Sequence, residues 1–114
     1  MDAPILDRRI TIRRKVVTKD PDYGSEVAEW EVFGEPRMKA EVRDTLPSRS
    51  EQVKQGLRIA AQPSRIRMRY LSGVTSDMRV TIHGETDREC EIIGGPAELG
   101  RRKWLEMVVS SFSS

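Results

Sequence analysis

The chain has 114 residues, of which 37% are hydrophobic and 33% charged, and its twenty lysines and arginines exceed its acidic residues by only two. This length suits one domain with one modest core, so we treat residues 1–114 as a single domain. The near balance of charge lacks the dominant basic excess that is typical of a dedicated nucleic-acid-binding protein.

The cysteine and histidine content excludes several kinds of site. Cys90 is the single cysteine and His83 the single histidine, so no intramolecular disulfide can form and no zinc-binding set of these residues exists. No apolar run approaches the roughly 20 residues of a membrane span. The first residues, 1–6, lack the basic and apolar segments of a signal peptide. We expect a cytoplasmically made protein with no metal, cofactor or membrane partner.

Two segments in the first half have the alternation of β-strands. Residues 8–17 alternate isoleucines with polar residues, which is the period of a half-buried strand. After a turn-forming stretch, residues 28–42 are predicted as one long strand or two short ones, because Gly34-Glu35-Pro36 interrupts the pattern. Trp30 alternates with apolar neighbours, and we expect it in the core.

A polar insert, Asp44–Pro63, follows and lacks the period of two. Ser48-Arg49-Ser50-Glu51 fits a capping box, which marks the beginning of a helix. Val53, Leu57 and Ala60 then fall on one helical face. A glycine within so short a helix makes it marginally stable. The sequence therefore predicts one short helix in a long insert between the early and middle strands.

Four more alternating segments occupy the second half: residues 65–70, 78–83, 88–93 and 103–109. Gly94-Gly95-Pro96 is predicted to end the third of them. About six short strands at this spacing predict a mainly β fold, a small antiparallel barrel or sandwich. The expected core consists of Ile10, Ile12, Trp30, Ile66, Met68, Val80, Ile82, Cys90, Ile92, Leu105 and Met107.

A cysteine and a histidine in contact could form a nucleophilic pair. In the hairpin expected here, Ile82 shares a face with Cys90, and His83 points the other way. We expect Ile82 to oppose Cys90 and a solvated His83 to oppose Glu89. The loop between the two strands should then contain an odd number of residues. Cys90 is then a core residue, no active site is identified, and the chain is predicted not to be an enzyme. A small cysteine-dependent enzyme is the alternative that contact between thiol and imidazole would support.

A small barrel that binds single-stranded nucleic acid is a further alternative. Arg65, Arg67 and Arg69 alternate along one strand that ends near Tyr70, which suits phosphate contacts and base stacking. However, Tyr70 alternates in step with aliphatic residues, which favours a core position. Acidic residues lie between the basic groups, which favours cross-strand charge pairs.

Several short motifs follow one another along the chain: Arg9-Ile10-Thr11-Ile12, Asp22-Tyr23-Gly24, Trp30, Ile66–Tyr70, Gly73–Val80 and Leu105–Val108. In this order, and from about Leu6 to Val109, the chain resembles the phage head–tail joining family, also called head-closure or stopper proteins. The resemblance implies a small β-barrel that assembles as a twelvefold ring in the neck of the virion.

By the same resemblance, the ring lies beneath the portal and its adaptor protein, continues the DNA channel, helps to retain packaged double-stranded DNA, and offers a surface to the tail. The chain would be a virion structural protein, made in the host cytoplasm and monomeric until the portal complex templates its ring. Another neck or tail component, such as a tail terminator, is a close alternative.

The resemblance also implies that the insert projects toward the DNA channel. Gln52, Lys54, Gln55 and Arg58 are then the candidates for facing the channel. The alternative is a helix that caps one end of the barrel, with these four side chains in solvent. We expect the insert to be the most mobile or the most assembly-dependent part of the chain.

Overall fold

The computed structural model describes residues 3–44 and 63–112, which form one antiparallel sheet. Its strands are β1 (Arg8–Lys19), β2 (Glu26–Asp44), β3 (Pro63–Arg69), β4 (Arg79–His83), β5 (Arg88–Leu99) and β6 (Trp104–Ser111). The sheet closes into a barrel in the order β1-β2-β3-β6-β5-β4. This confirms the predicted mainly β fold of about six strands and decides between the predicted barrel and sandwich in favour of the barrel. Residues 3–44 and 63–112 contain no helix, and the predicted short helix lies outside them.

The barrel interior is filled by the residues that alternate along the strands. Apart from Trp30, every residue of the expected core is buried, and Ala40, Met78 and Val109 join that core. Alternation was sufficient to identify these residues because each strand of a small barrel presents every second side chain to the interior.

Trp30 lies outside the core because β2 contains a bulge. Between Ile10 and Ile12 of β1, the partner residue on β2 changes from Met38 to Phe33, so β2 gains three extra residues. An odd number of extra residues exchanges the two faces of a strand. Phe33 therefore packs against the core, and Trp30 lies on the outer face.

The bulge occupies the place where the sequence predicted an interruption, but β2 continues through it as one strand. Gly34 has a φ of 82°, in the left-handed region that favours glycine. A Cβ atom at Gly34 would lie 3.1 Å from Cδ2 of Leu71, so any other residue here would also have to displace the Leu71 side chain. The carbonyl of Pro36 accepts a hydrogen bond from the hydroxyl of Thr11, which ties the bulge to β1.

Beyond the bulge, β1 and β2 leave the barrel together as a two-stranded arm, which we define as residues 14–31. On the barrel side, β4 pairs with β1 only as far as Arg13, and β3 pairs with β2 only from Ala40 onward. In the arm the two strands pair only with each other, as far as Lys19 and Glu26. The turn that joins them, residues 20–25, is the arm tip.

The β4–β5 hairpin has the predicted faces but a different register. Val80 opposes Cys90 and Ile82 opposes Arg88, so the prediction that Ile82 opposes Cys90 is wrong by two residues. Five residues separate the last opposed pair, Ile82 and Arg88, and this number is odd as predicted. A shift of two residues leaves every side chain on its own face, so alternation alone could not fix this register.

β5 continues past Gly94-Gly95-Pro96, where the sequence predicted an end. Its register against β6 shifts between Ile92 and Gly94 and again between Gly94 and Ala97, and each shift adds one residue to β5. The Gly95–Pro96 peptide bond is cis. The glycines and the proline thus form bulges within one long strand that reaches Leu99.

Two isoleucines allow the interior to be tested with the same chemical change. Ile66 has no exposed surface, whereas Ile93 is 56% exposed. We expect Ile66→Ala to lower the free energy of unfolding by about 2–5 kcal/mol, because it removes buried methyl groups and leaves a cavity. Ile93→Ala should cost about 0.5 kcal/mol or less. Urea unfolding of both variants measures the difference, and equal losses would contradict the assignment of the barrel interior.

Candidate functional site

Residues 3–44 and 63–112 contain no group of three or more histidine, cysteine, aspartate or glutamate side chains able to hold a metal ion. In the same residues, no helix is long and apolar enough to cross a membrane.

Cys90 is enclosed in the barrel interior and has no exposed surface. Burial raises the pKa of its thiol above the ordinary value of 9.0, and the nearby Arg88 guanidinium acts in the opposite direction. Since the thiolate is the nucleophilic form, a thiol with a raised pKa is poorly suited to covalent catalysis. The structure therefore favours a core role for this cysteine.

His83 is not solvated as the sequence predicted, and it opposes Arg9 of β1 rather than Glu89. Its side chain is 11% exposed and lies 3.3 Å from the carboxylate of Asp87 through Nδ1. On the other side, Nε2 lies 2.6 Å from the hydroxyl of Thr11. The imidazole belongs to the outer face of the wall and Cys90 to the inner face, so the two do not form a nucleophilic pair.

Thr11, His83 and Asp87 have the composition of a hydroxyl–imidazole–carboxylate triad, but their setting is structural. Thr11 is only 2% exposed, and its hydroxyl already donates to the Pro36 carbonyl. A nucleophile of this kind needs both a free proton to give up and access to substrate. The cluster instead connects the bulge, β1 and the β4–β5 turn.

The outer wall formed by β1, β2 and β3 is mainly basic, with Arg9, Lys39, Arg43, Arg65, Arg67 and Arg69 on its surface. Glu41 lies 3.3 Å from Arg43 and 4.0 Å from Arg65. Glu106 lies 3.5 Å from Arg65 and 3.0 Å from Arg67. The pair within β2 aside, the pairs of Glu41 with Arg65 and of Glu106 with Arg65 and Arg67 join neighbouring strands, as the charge pattern predicted. Two of the three alternating arginines are engaged in ion pairs, which weakens the nucleic-acid alternative.

The opposite wall has a different character. On β5, Glu89 and Glu91 alternate with the buried Cys90 and are exposed, and Ile93 beyond them is 56% exposed. Because β5 lies across the barrel from β2, the molecule presents a basic wall on one side and an acidic, partly apolar wall on the other.

The base of the arm is fixed to the barrel by a stack of side chains. The guanidinium carbon of Arg79 on β4 lies 4.1 Å from the centre of the Trp30 ring and 4.6 Å from that of Phe112. An arginine between two aromatic rings gains cation–π attraction on both faces. Trp30, expected in the core, instead holds the arm in a fixed direction.

One end of the barrel is closed by a polar network around Arg88. Its guanidinium donates to Asp44 at 3.3 Å, to Ser64 at 3.2 Å and to Ser111 at 2.8 Å, and the Ser64 hydroxyl donates to Asp44 at 2.7 Å. These residues come from β2, β3, β5 and β6. The chain leaves β2 and enters β3 at this network.

The sequence-predicted site residues, Gln52, Lys54, Gln55 and Arg58, lie outside the described residues. Sequence reasoning did not identify the arm, the stack on Arg79 or a cavity of about 410 Å³ beside the bulge. One signal for the arm was present: from Arg14 to Lys19 and from Glu26 to Glu31, charged residues occupy both faces of the predicted strands.

A closed barrel with opposed charged walls and a projecting arm has the features of a structural protein that acts through contacts with other proteins. A family model for phage head completion proteins matches residues 1–111, and the chain therefore belongs to the phage head completion protein family. This confirms the predicted resemblance. The chain is a structural protein of phage head closure and a component of the virion.

The fold is also found in a solved structure. The solution structure of protein SF1141 from Shigella flexneri 2a superimposes with a TM-score of 0.71 and 27% identity, over 97% of this chain and 96% of that chain. No curated protein matches this chain.

The burial of Cys90 gives a prediction with an internal control. In a Ser72→Cys variant, the new thiol is at an exposed position, and at about pH 8 it should react with iodoacetamide much faster than Cys90. The raised pKa of the Cys90 thiol also affects stability. Its contribution to the free energy of unfolding is present at pH values below 9.0 and is lost as the pH rises above 9.0. Peptide mass analysis measures both sites. Equal rates in the folded protein would contradict the buried assignment.

Proposed function

We propose that this protein is a ring subunit of the phage neck, which joins the portal and adaptor complex to the tail and helps to retain packaged DNA. The proposal rests on one observation. In this member of the family, the basic wall of β1, β2 and β3 lies on the opposite side of the barrel from the acidic wall of β5. Subunits of a ring make head-to-tail contacts, which require two different and complementary faces.

The closed barrel restricts how such subunits can associate. Each barrel strand pairs with a neighbour on both sides over part of its length, which leaves only short strand edges for β-sheet extension. Contacts through the wall therefore use mainly side chains, and the arm supplies a projecting element. Individual contacts of this kind are weak, but a ring engages many at once, so subunits can stay monomeric at low concentration until a portal complex templates them.

The polar network around Arg88 supports a role for the segment between β2 and β3. Asp44 and Ser64 are opposed residues of adjacent strands and share hydrogen bonds with each other and with Arg88. The segment is thus attached at one firmly held end of the barrel. We propose that Gln52, Lys54, Gln55 and Arg58 face the DNA channel from there.

The joining role is tested by removing the protein from an otherwise complete phage. We expect capsid assembly and DNA packaging to proceed, while stable tailed particles fail to form, because a joining protein acts after packaging. Electron microscopy of particles made with and without the protein provides the measurement, and purified wild-type protein added back should restore tails. Normal infectious particles in its absence would disprove the joining role.

The role of the segment is tested by deleting Ser48–Ala60. Since the strands on either side remain paired, we expect the variant to dock on the portal complex but to lose DNA from the particles. A flexible glycine–serine segment of equal length is the matched control, which separates sequence from length. The measurements are DNA content and tail attachment. Full DNA retention with normal tails in the deletion variant would remove the channel role and leave the joining role intact.

A further inference from the structure

The arm tip carries the most exposed large hydrophobic side chain of the described residues. Tyr23 is 86% exposed, and Asp20 and Asp22 stand beside it. The turn is held by hydrogen bonds from the Asp20 amide to the Ser25 carbonyl at 2.7 Å and from the Gly24 amide to the Asp20 carbonyl at 2.8 Å. An aromatic side chain on a fixed turn loses little conformational freedom when a partner buries it.

The arm tip is also acidic. On the last pair of the arm, Lys19 opposes Glu26, so their charges offset each other. Asp20 and Asp22 remain, and their carboxylates give the tip its net negative charge. A receptor for this tip would combine an apolar pocket for the tyrosine with positive charge around it.

A cavity of about 410 Å³ at the base of the arm has these properties, and we refer to it as the socket. Its apolar lining comes from Met38, Met68, Tyr70 and Leu71. A cavity of about 150 Å³ accepts a benzene ring, so the socket has room for a phenol ring. Methionine side chains adapt well to an inserted aromatic ring and make favourable contacts with it.

The rim of the socket has the charge opposite to that of the tip. Arg9, Lys39 and Arg69 line it, against the single carboxylate of Glu35. Lys39 and Arg69 are exposed, so their charges can reach a partner. Complementary charge of this kind guides association and selects the orientation of the partner.

The tip of a subunit cannot reach its own socket. Asp20 lies eleven residues beyond Arg9 along β1, which is about 35 Å for an extended strand. The stack on Arg79 fixes the base of the arm in an outward direction. A tip that enters a socket must therefore come from a second copy of the chain.

We propose that Tyr23 of one subunit inserts into the socket of the next subunit, with Asp20 and Asp22 against the basic rim. This inference rests on the proposed ring and names the contact that builds it. Each subunit uses its tip on one neighbour and its socket on the other, so the contact is head-to-tail and repeats until the ring closes.

A mixing experiment tests the polarity of this contact. Tyr23→Ala removes the tip, Lys39→Glu with Arg69→Glu reverses the rim, and Val17→Ala at an exposed arm position is the control. We expect the tip and rim variants each to self-associate about tenfold or more weakly than wild type. An equimolar mixture should form dimers only, because each dimer uses one intact tip and one intact socket. Sedimentation at high protein concentration measures this.

Cross-linking extends the test to subunits bound to portal complexes. A variant with Ser25→Cys beside the tip and Ser72→Cys beside the socket should give a ladder of covalent oligomers with a short bismaleimide, whereas either single variant should give no ladder, because its contacts lack one of the two cysteines. Adding Tyr23→Ala should abolish the ladder. Normal association of the tip and rim variants, or a ladder that survives Tyr23→Ala, would overturn this inference. If either of these results is obtained and rings still form on portal complexes, only the tip–socket contact is wrong and the proposed ring function stands. If no ring forms, the contact and the proposed function are both wrong.

Discussion

The three extra residues in β2 control the arrangement of the rest of the molecule. They exchange the faces of the strand between Phe33 and Met38, so that β2 contributes to the barrel interior on both sides of the bulge. The same exchange releases Trp30 to the outer surface, where it stacks on Arg79. Barrel closure, the direction of the arm and the opening of the socket beside Gly34 all depend on this one irregularity.

The bulge is itself supported by neighbouring polar groups. Thr11 donates to the Pro36 carbonyl and contacts His83, which in turn lies beside Asp87. These contacts lie on the outer face, where Thr11 and His83 are largely shielded from water and Asp87 is exposed. This cluster favours a single arrangement of the backbone, because a shift in the register of β1 against β2 would separate the buried Thr11 hydroxyl from the Pro36 carbonyl.

Period-two alternation predicted the barrel and its core because one face of every barrel strand is buried. It placed Ile66, Met68, Leu105 and Met107 correctly, since β3 and β6 pair without irregularity. It failed at Trp30 because the number of residues in a bulge depends on the partner strand, which local sequence does not reveal. It also missed the β4–β5 register, since a shift of two residues preserves alternation.

The candidate contact surfaces were less accessible to sequence reasoning. The alternating arginines of β3 were visible, but their ion pairs with Glu41 and Glu106 depend on which strands become neighbours. The socket brings together Arg9, Met38 and Arg69 from three strands, so no local motif marks it. Tyr23 stood within a turn motif, but only the length of the arm shows how far it projects.

The hydrogen bonds of Arg88 to Asp44, Ser64 and Ser111 have a consequence for how this fold can diversify. They join the ends of β2 and β3 to the rest of the barrel on both sides of the segment between these strands. Doubling the length of a flexible connection costs only about 0.6 kcal/mol in chain entropy. The barrel can therefore accept segments of different length and sequence at this point, while its walls and arm remain unchanged.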